Sequence, residues 1–354
     1  MRNNLFYLIL MMVLLVSCEE YYTPDLDETT GLLVVESHLT NDVNQNVVKL
    51  SLTKNFYSKE SAGTIAGARV DLVEVGGKTT SGVETNPGSF TLAKIPVVGK
   101  SYILRINYNG DLYESDAVIM PPIPSIDTLY TGHKIEKKYR TDAYGVPELI
   151  EIPSREIYVD APMTSALKYY RFSWRAVLQW IYVAPTGAFN LPPPVWYGWN
   201  SKYDLGAFNI AGPKEFSVST QINKHPILSL AYDGQNYLDS TSQSPAGWII
   251  LIDQYGIQKP SYDFHDKLNK QFAAEGSLFD PVQMQVYGNI HCKNKPEKIA
   301  LGFFDLNSYR QYRYFFDFGT NTGNYVRQRR LPNSPEIPGG GYIIDKYPDF
   351  WAQY

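Results

Sequence analysis

Between residues 31 and 120, apolar and polar positions alternate with a period of two, in short runs separated by turn-forming sequence. A β-strand sends successive side chains to opposite faces, so these runs predict half-buried strands of an antiparallel sandwich; no period near 3.6 appears there. Leu32 to Leu39 opens the series. Val48, Leu50 and Leu52 alternate with Lys49 and Ser51, and Ala68, Val70 and Leu72 alternate with Arg69 and Asp71, both expected to point outward. The phase then shifts at Val73 and Val75, which predicts a β-bulge before the turn at Gly76-Gly77. Tyr102, Leu104, Ile106 and Tyr108 lead into Asn109-Gly110, a pair suited to a type I′ turn because both residues tolerate positive φ.

The runs Gly67-Ala68-Arg69-Val70-Asp71-Leu72, Gly88-Ser89-Phe90-Thr91-Leu92 and Tyr102-Ile103-Leu104-Arg105-Ile106 resemble an Ig/transthyretin-like sandwich of the carboxypeptidase-regulatory type. That resemblance implies a spacer or platform. Pro121-Pro122-Ile123-Pro124 stops helix and central strand alike, which places a boundary after residue 120. Beyond it, apolar runs at 148–158, 169–183, 215–221, 248–253, 282–292 and 299–304 predict further strands. Pro260-Ser261, the four-residue spacing of Phe264, Leu268 and Phe272, and Gly276 predict one helix over 261–275 with an apolar stripe facing the sheet. The expected architecture is therefore mainly β, a sandwich over 31–120 followed by a larger β domain over 121–354 with one inserted helix.

The N-terminus carries a different signal. Leu5 to Val16 is an unbroken apolar run after Met1-Arg2, and it ends in Leu15-Val16-Ser17-Cys18. Twelve helical residues reach only about 18 Å, short of a ~30 Å hydrocarbon core. The run predicts a signal peptide over 1–17 and a lipidated Cys18, followed by a tether over 18–30. Glu19 and Glu20 after the cysteine resemble surface-export signals of Bacteroidota lipoproteins, which implies an outer-membrane, lipid-anchored protein facing the cell exterior.

Composition narrows the function. The net charge of -4 offers nothing to nucleic acid. Charged residues make up only 19% of the chain while Tyr reaches 28, so aromatic surface takes the place of charge. Four of the six tryptophans fall between Phe172 and Phe208, around Pro192-Pro193-Pro194. The prolines predict an extended loop that holds Trp196, Tyr197 and Trp199 outward, and with Tyr182 and Phe189 these are candidate binding residues for a glycan, a peptide, a protein partner or a membrane interface. The alternative is that they cap a large β core. Cys292 has no intramolecular partner once Cys18 carries lipid, and is expected to be a small buried apolar residue. The five histidines lie far apart in sequence, and neither His-Glu-x-x-His nor Gly-x-Ser-x-Gly occurs. No enzyme activity, metal site or cofactor is expected.

Leu33-Val34-Val35-Glu36 with Leu39-Thr40, Tyr113-Glu114-Ser115, Asp280-Pro281, Gly288-Asn289-Ile290 and Leu301-Gly302-Phe303-Phe304 resemble a family of Bacteroidota outer-membrane lipoproteins without an assigned activity. Its members are typically encoded beside TonB-dependent receptors. The resemblance implies an accessory or substrate-capture subunit of such a receptor, with a free-standing glycan-binding protein as the alternative and a hydrolase as a remoter one. It supplies no catalytic residues. Gly288 and Gly302 are expected at tight backbone positions.

Overall fold

The computed structural model describes residues 31–54, 63–142, 144–183, 195–213, 220–231, 243–273 and 285–317. These are mainly β, with several sheets and a single α-helix. The N-terminal strands are β1 (Leu33–Thr40), β2 (Val47–Leu52), β3 (Gly63–Thr64), β4 (Arg69–Glu74), β5 (Thr79–Ser81), β6 (Val83–Asn86), β7 (Ser89–Thr91), β8 (Ser101–Tyr108), β9 (Asp111–Ser115) and β10 (Val118–Ile119). There follow β11 (Thr128–Thr141), β12 (Pro147–Pro162), β13 (Tyr169–Val183), β14 (Val195–Tyr203), β15 (Asn209–Ala211), β16 (Gln221–Ala231) and β17 (Gln243–Ile257). The last described elements are α1 (Lys259–Phe272), β18 (Ile290–Cys292) and β19 (Ala300–Asp317).

Three sheets result. The largest runs β14-β13-β17-β19-β1-β2-β7-β6, with β15 on β13 and β3 on β2. A second runs β18-β9-β8-β4-β5 with β10 on β8, and a third is β11-β12-β16. The first core lies between the β1 end of the large sheet and the second sheet, where Leu33, Val35 and Leu39 meet Val70, Leu72, Leu104 and Ile106. The second core lies between the β13 end and the third sheet: Tyr170, Phe172, Ile250 and Ile252 pack on Ile157, Val159, Leu228 and Leu230. Full burial of each such aliphatic or phenylalanine side chain stabilises by about 1.5–3 kcal/mol.

β19 joins the two cores. It runs parallel to β1, with Leu33 opposite Ala300 and Leu39 opposite Leu306. From Ser308 onward it runs antiparallel to β17. The expected unit over 31–120 is thus not closed by its own residues: Ile290, Cys292, Ala300, Phe304 and Leu306 return to the first core. Sequential hairpin strands leave one edge of β1 unpaired, and a parallel partner can arrive only by a long connection. The proline stretch after residue 120 is fastened to these strands. Ser308 donates to the Pro122 carbonyl, Gln254 Nε2 donates to the Ser125 carbonyl at 3.0 Å, and the Ile126 N–H donates to the Tyr312 hydroxyl at 3.0 Å.

Asn109 and Gly110 take φ of 49° and 77° between paired Tyr108 and Asp111, as the alternation predicts. Three expectations are corrected. The pairing of β4 with β8 runs unbroken to Glu74, so no bulge forms and Val75 is simply exposed past the strand end. Asp71 is buried, held by Arg69 at 2.8 Å and the Ser81 hydroxyl at 2.6 Å. The helix is displaced to Lys259–Phe272, while 275 and 276, like 215–219, lie outside the described residues.

Gly302 sits at φ +97°, where a Cβ would stand 1.9 Å from the Val35 carbonyl oxygen; at Gly288 it would stand 1.5 Å from the Gly302 oxygen. Asn289 fixes the same crossing, its amide donating to Phe304 O at 2.9 Å and its carbonyl accepting Phe304 N–H at 2.8 Å. Gly302→Ala therefore combines backbone strain with a clash that only separation of β1 from β19 relieves. It should lower stability by about 3 kcal/mol or more, read as a denaturant midpoint shift, whereas Gly99→Ala, which meets only the strain of its own φ, should cost less. Equal losses at the two positions would refute the role of the crossing.

Candidate functional site

The aromatic residues expected to bind are brought to one hairpin at the edge of the large sheet. Tyr182 pairs with Trp196, Ile181 with Tyr197 and Gln179 with Trp199. The backbone of Trp196 to Trp199 is therefore strand and not the expected loop, in keeping with the strand preference of Val195-Trp196-Tyr197. Among the described residues β14 pairs only with β13, so its other edge is open. Cys18, Phe189 and the proline triplet lie outside the described residues, as do the side chains of the four paired aromatics.

A second constellation forms where α1 lies across the face of the large sheet opposite the second core. Lys259 with Asp263 and Asp266 with Lys270 form i,i+4 pairs on the open side of the helix. The buried side is polar: Ser261 and His265, not the expected phenylalanine stripe, are the residues sealed from solvent, and Phe272 is exposed. Phe264 still contributes, stacking on Phe303 at 4.7 Å. Phe208 sits edge-on to His265 at 4.6 Å, held by paired backbone bonds to Asn269 of 2.8 and 2.7 Å. The periodicity marked three apolar residues four apart, but the helix is turned so that the position after Phe264 faces inward.

The sheet meets the helix with residues of alternate parity to its core positions. His38 stands opposite Asp305 on β1 and β19, and their rows continue into Asn307 and Tyr309. Tyr309 pairs with Tyr255, which pairs with Arg171. The Arg171 guanidinium lies over the Tyr255 ring at 4.2 Å, a cation–π contact. Tyr309 donates to Asp253 at 2.8 Å, Gln311 donates to the same oxygen at 3.0 Å, and Asn41 clamps the Tyr309 backbone. Burial and Asp253 raise the Tyr309 hydroxyl.

Burial holds His265 well below the ordinary histidine range, at about 4, with Arg171 adding to the effect. Burial, then Arg171 and His265, bring His38 to about 3. His38 is exposed on β1, where water screens its charge, whereas His265 is sealed from solvent. Burial raises the Asp305 carboxyl, opposed by the Ser261 hydroxyl and by Arg171.

Ser261, His265 and Asp305 are the residue types of a hydrolytic triad, yet their bonds run the wrong way. Ser261 donates to Asp305, and His265 Nδ1 lies 2.8 Å from the Ser261 carbonyl oxygen, to which it must donate. The ring nitrogen nearest the hydroxyl therefore carries a proton and cannot accept one from it. No group of three or more His, Cys, Asp or Glu among the described residues is placed to hold a metal.

On the open side of α1 a cleft of about 710 Å³ is lined by Tyr262, Asp266, Lys270, Gln221, Lys224 and His225 among others. Two register shifts between β12 and β16 adjoin it, and Lys224 takes φ 50° with its N–H on Asp160 Oδ1 at 2.6 Å. Asn209 donates to the Pro226 carbonyl, so its oxygen faces His225 Nε2 at 2.5 Å and that nitrogen bears hydrogen. The polar groups here already serve one another. Cys292 is buried in the first core, its thiol 3.3 Å from Asn294 Oδ1.

The neutral state of His265 sets a pH dependence. Its folded pKa lies below that of the unfolded chain, so protons bind the unfolded state first as pH falls through 6.5 toward about 4. Stability should drop across that window, with about 2 kcal/mol gone by pH 5 on account of His265 alone. Thermal unfolding of His265→Gln at pH 7 and pH 5 should show a shallower loss than the parent chain; identical slopes would remove His265 as the cause.

No curated protein and no solved structure matches the chain. A family model matches residues 19–313, which takes in both cores, α1 and all but the last residues of β19. The chain belongs to DUF4249, a domain of unknown function.

Proposed function

We propose that the protein is an outer-membrane lipoprotein, anchored through Cys18 and facing the cell exterior, that serves as an accessory or substrate-capture subunit of a TonB-dependent receptor. The signal-peptide pattern supports the anchor, and the family match begins at residue 19, directly after that cysteine. No helix among the described residues is long and apolar enough to cross a membrane.

The observation that carries the partner reading is the β11–β12 ribbon. Its distal half is exposed on both faces, and Tyr139 pairs with Leu149, so their side chains share one face with that of Ile135, four residues before Tyr139. Tyr139 is 79% and Tyr144 91% exposed, and Ile135, Val146 and Leu149 are exposed beside them. The charges of the ribbon are matched among themselves, Lys134 to Glu156, Lys137 to Glu151, Lys138 to Glu136 and Arg140 to Glu148. Exposed pairs of this kind add little stability. The face of Ile135, Tyr139 and Leu149 is thereby neutral, with the Lys137–Glu151 pair between its apolar residues, the composition of a protein contact with aromatic anchors.

The tagged chain, purified from outer membranes in mild detergent, should bring a TonB-dependent receptor with it, identified by mass spectrometry. Tyr139→Ser with Leu149→Ser should weaken that complex by about 2 kcal/mol or more while leaving the melting temperature nearly unchanged. Recovery without a receptor from cells whose surface protease cannot reach the chain would sink the proposal. Cys18→Ala should shift the protein from the membrane to the soluble fraction, and retention on the membrane would show a different anchor.

A further inference from the structure

The face beneath α1 holds polar groups that nothing in the fold satisfies. Asp305 and Asn307 are both 0% exposed, yet Asp305 Oδ1 and both amide atoms of Asn307 make no hydrogen bond. The Asn307 amide lies near the Asp305 carboxyl and lowers it, without reaching bonding geometry. Arg171 Nε is likewise buried and unbonded, and Arg171 forms no ion pair among the described residues. A buried polar group without a partner costs about 1–3 kcal/mol, and native proteins leave few of them. Here they are gathered on the outer face of one sheet, on β13 and β19, under one helix. The strand neighbour of Asp305, His38, is exposed, so this layer lies one strand pair from solvent.

The kinds of unmet atom decide what fits. Asp305 Oδ1 and Asn307 Oδ1 accept, whereas Asn307 Nδ2 and Arg171 Nε donate. A carboxylate would serve the donors and be rejected by Asp305. A cation would serve the acceptors and be rejected by Arg171. Each hydroxyl of a polyol both donates and accepts, so neighbouring hydroxyls satisfy both kinds without adding charge. We propose that this polar layer binds an uncharged polyhydroxylated ligand, a sugar ring or a comparable polyol, through Arg171, Asp305 and Asn307, with His38 at its exposed edge. The cleft on the other side of α1 has no such unmet set. This site is independent of the β11–β12 face, and either can fail while the other stands.

The mature chain should be titrated calorimetrically with a panel of uncharged hexoses, pentoses and their methyl glycosides, alongside succinate and glutamate. At least one sugar should bind, and the two acids should not. Asn307→Leu and Arg171→Lys should each weaken sugar binding by roughly ten- to a hundredfold, with circular dichroism unchanged. If Asn307→Leu does not fold, Arg171→Lys decides, since it keeps the charge and most of the stem but loses the Nε donor. No binding across the sugar panel, binding that both variants leave intact, preference for the acids, or a crystal soaked in the bound sugar that holds only ordered water between Arg171 and Asn307 would each overturn the assignment.

Discussion

The parallel pairing of β1 with β19 is the constraint on which everything else rests. It completes the first core by setting Phe304 and Leu306 beside Ser37 and Leu39. It also fixes the direction in which β19 enters the second core, and so where β17 and β13 stand. Three backbone segments converge at this seam, those of Val35, Gly302 and Gly288, at distances that leave no room for a side chain. The seam explains why glycine, which is costly within strands, stands third in this one. The buried amide of Asn289 supplies hydrogen bonds to both backbone groups of Phe304.

The same pairing creates the polar layer under α1. A strand that packs one face into the core must present the other elsewhere, and on β19 that other face carries Asp305, Asn307 and Tyr309. Arg171 is the cation whose field is felt across this layer, reaching both histidines, the aspartate and Tyr255. Desolvation, with Arg171 adding to it, keeps the imidazoles neutral, so the layer is rich in hydrogen-bonding capacity and poor in net charge.

Period-two patterning was legible in the sequence wherever a strand has one wet face, as in β2 and β8, and the Asn109-Gly110 turn was legible because its φ values demand those residues. Gly288 and Gly302 could be marked as tight without knowing what crowds them. The partner of β1 could not be found, because Leu33 and Ala300 touch through a pairing that leaves no local spacing. The long hairpin of β11 went unread since its alternation is diluted by Lys134, Lys137, Lys138 and Arg140 on a ribbon exposed on both sides. The layer under α1 was invisible for a related reason. Histidine, serine, aspartate and asparagine from β1, α1 and β19 look like ordinary surface residues until a helix is laid over them, and the apolar positions at 264, 268 and 272 gave the helix but not its rotation.

Because β1 waits for β19, the order of synthesis matters. Residues 33 to 40 emerge first, yet their parallel neighbour comes from residues 300 to 307. Until that distant stretch arrives, the first core lacks one wall and β1 shows an open hydrogen-bonding edge, the arrangement most prone to pair with another chain. Contacts this remote are slow to form because loop closure must precede any gain from them. A chain made from its N-terminus thus stays unfinished until residue 300 and those after it have emerged, and protection of that edge until then becomes a requirement of the fold itself.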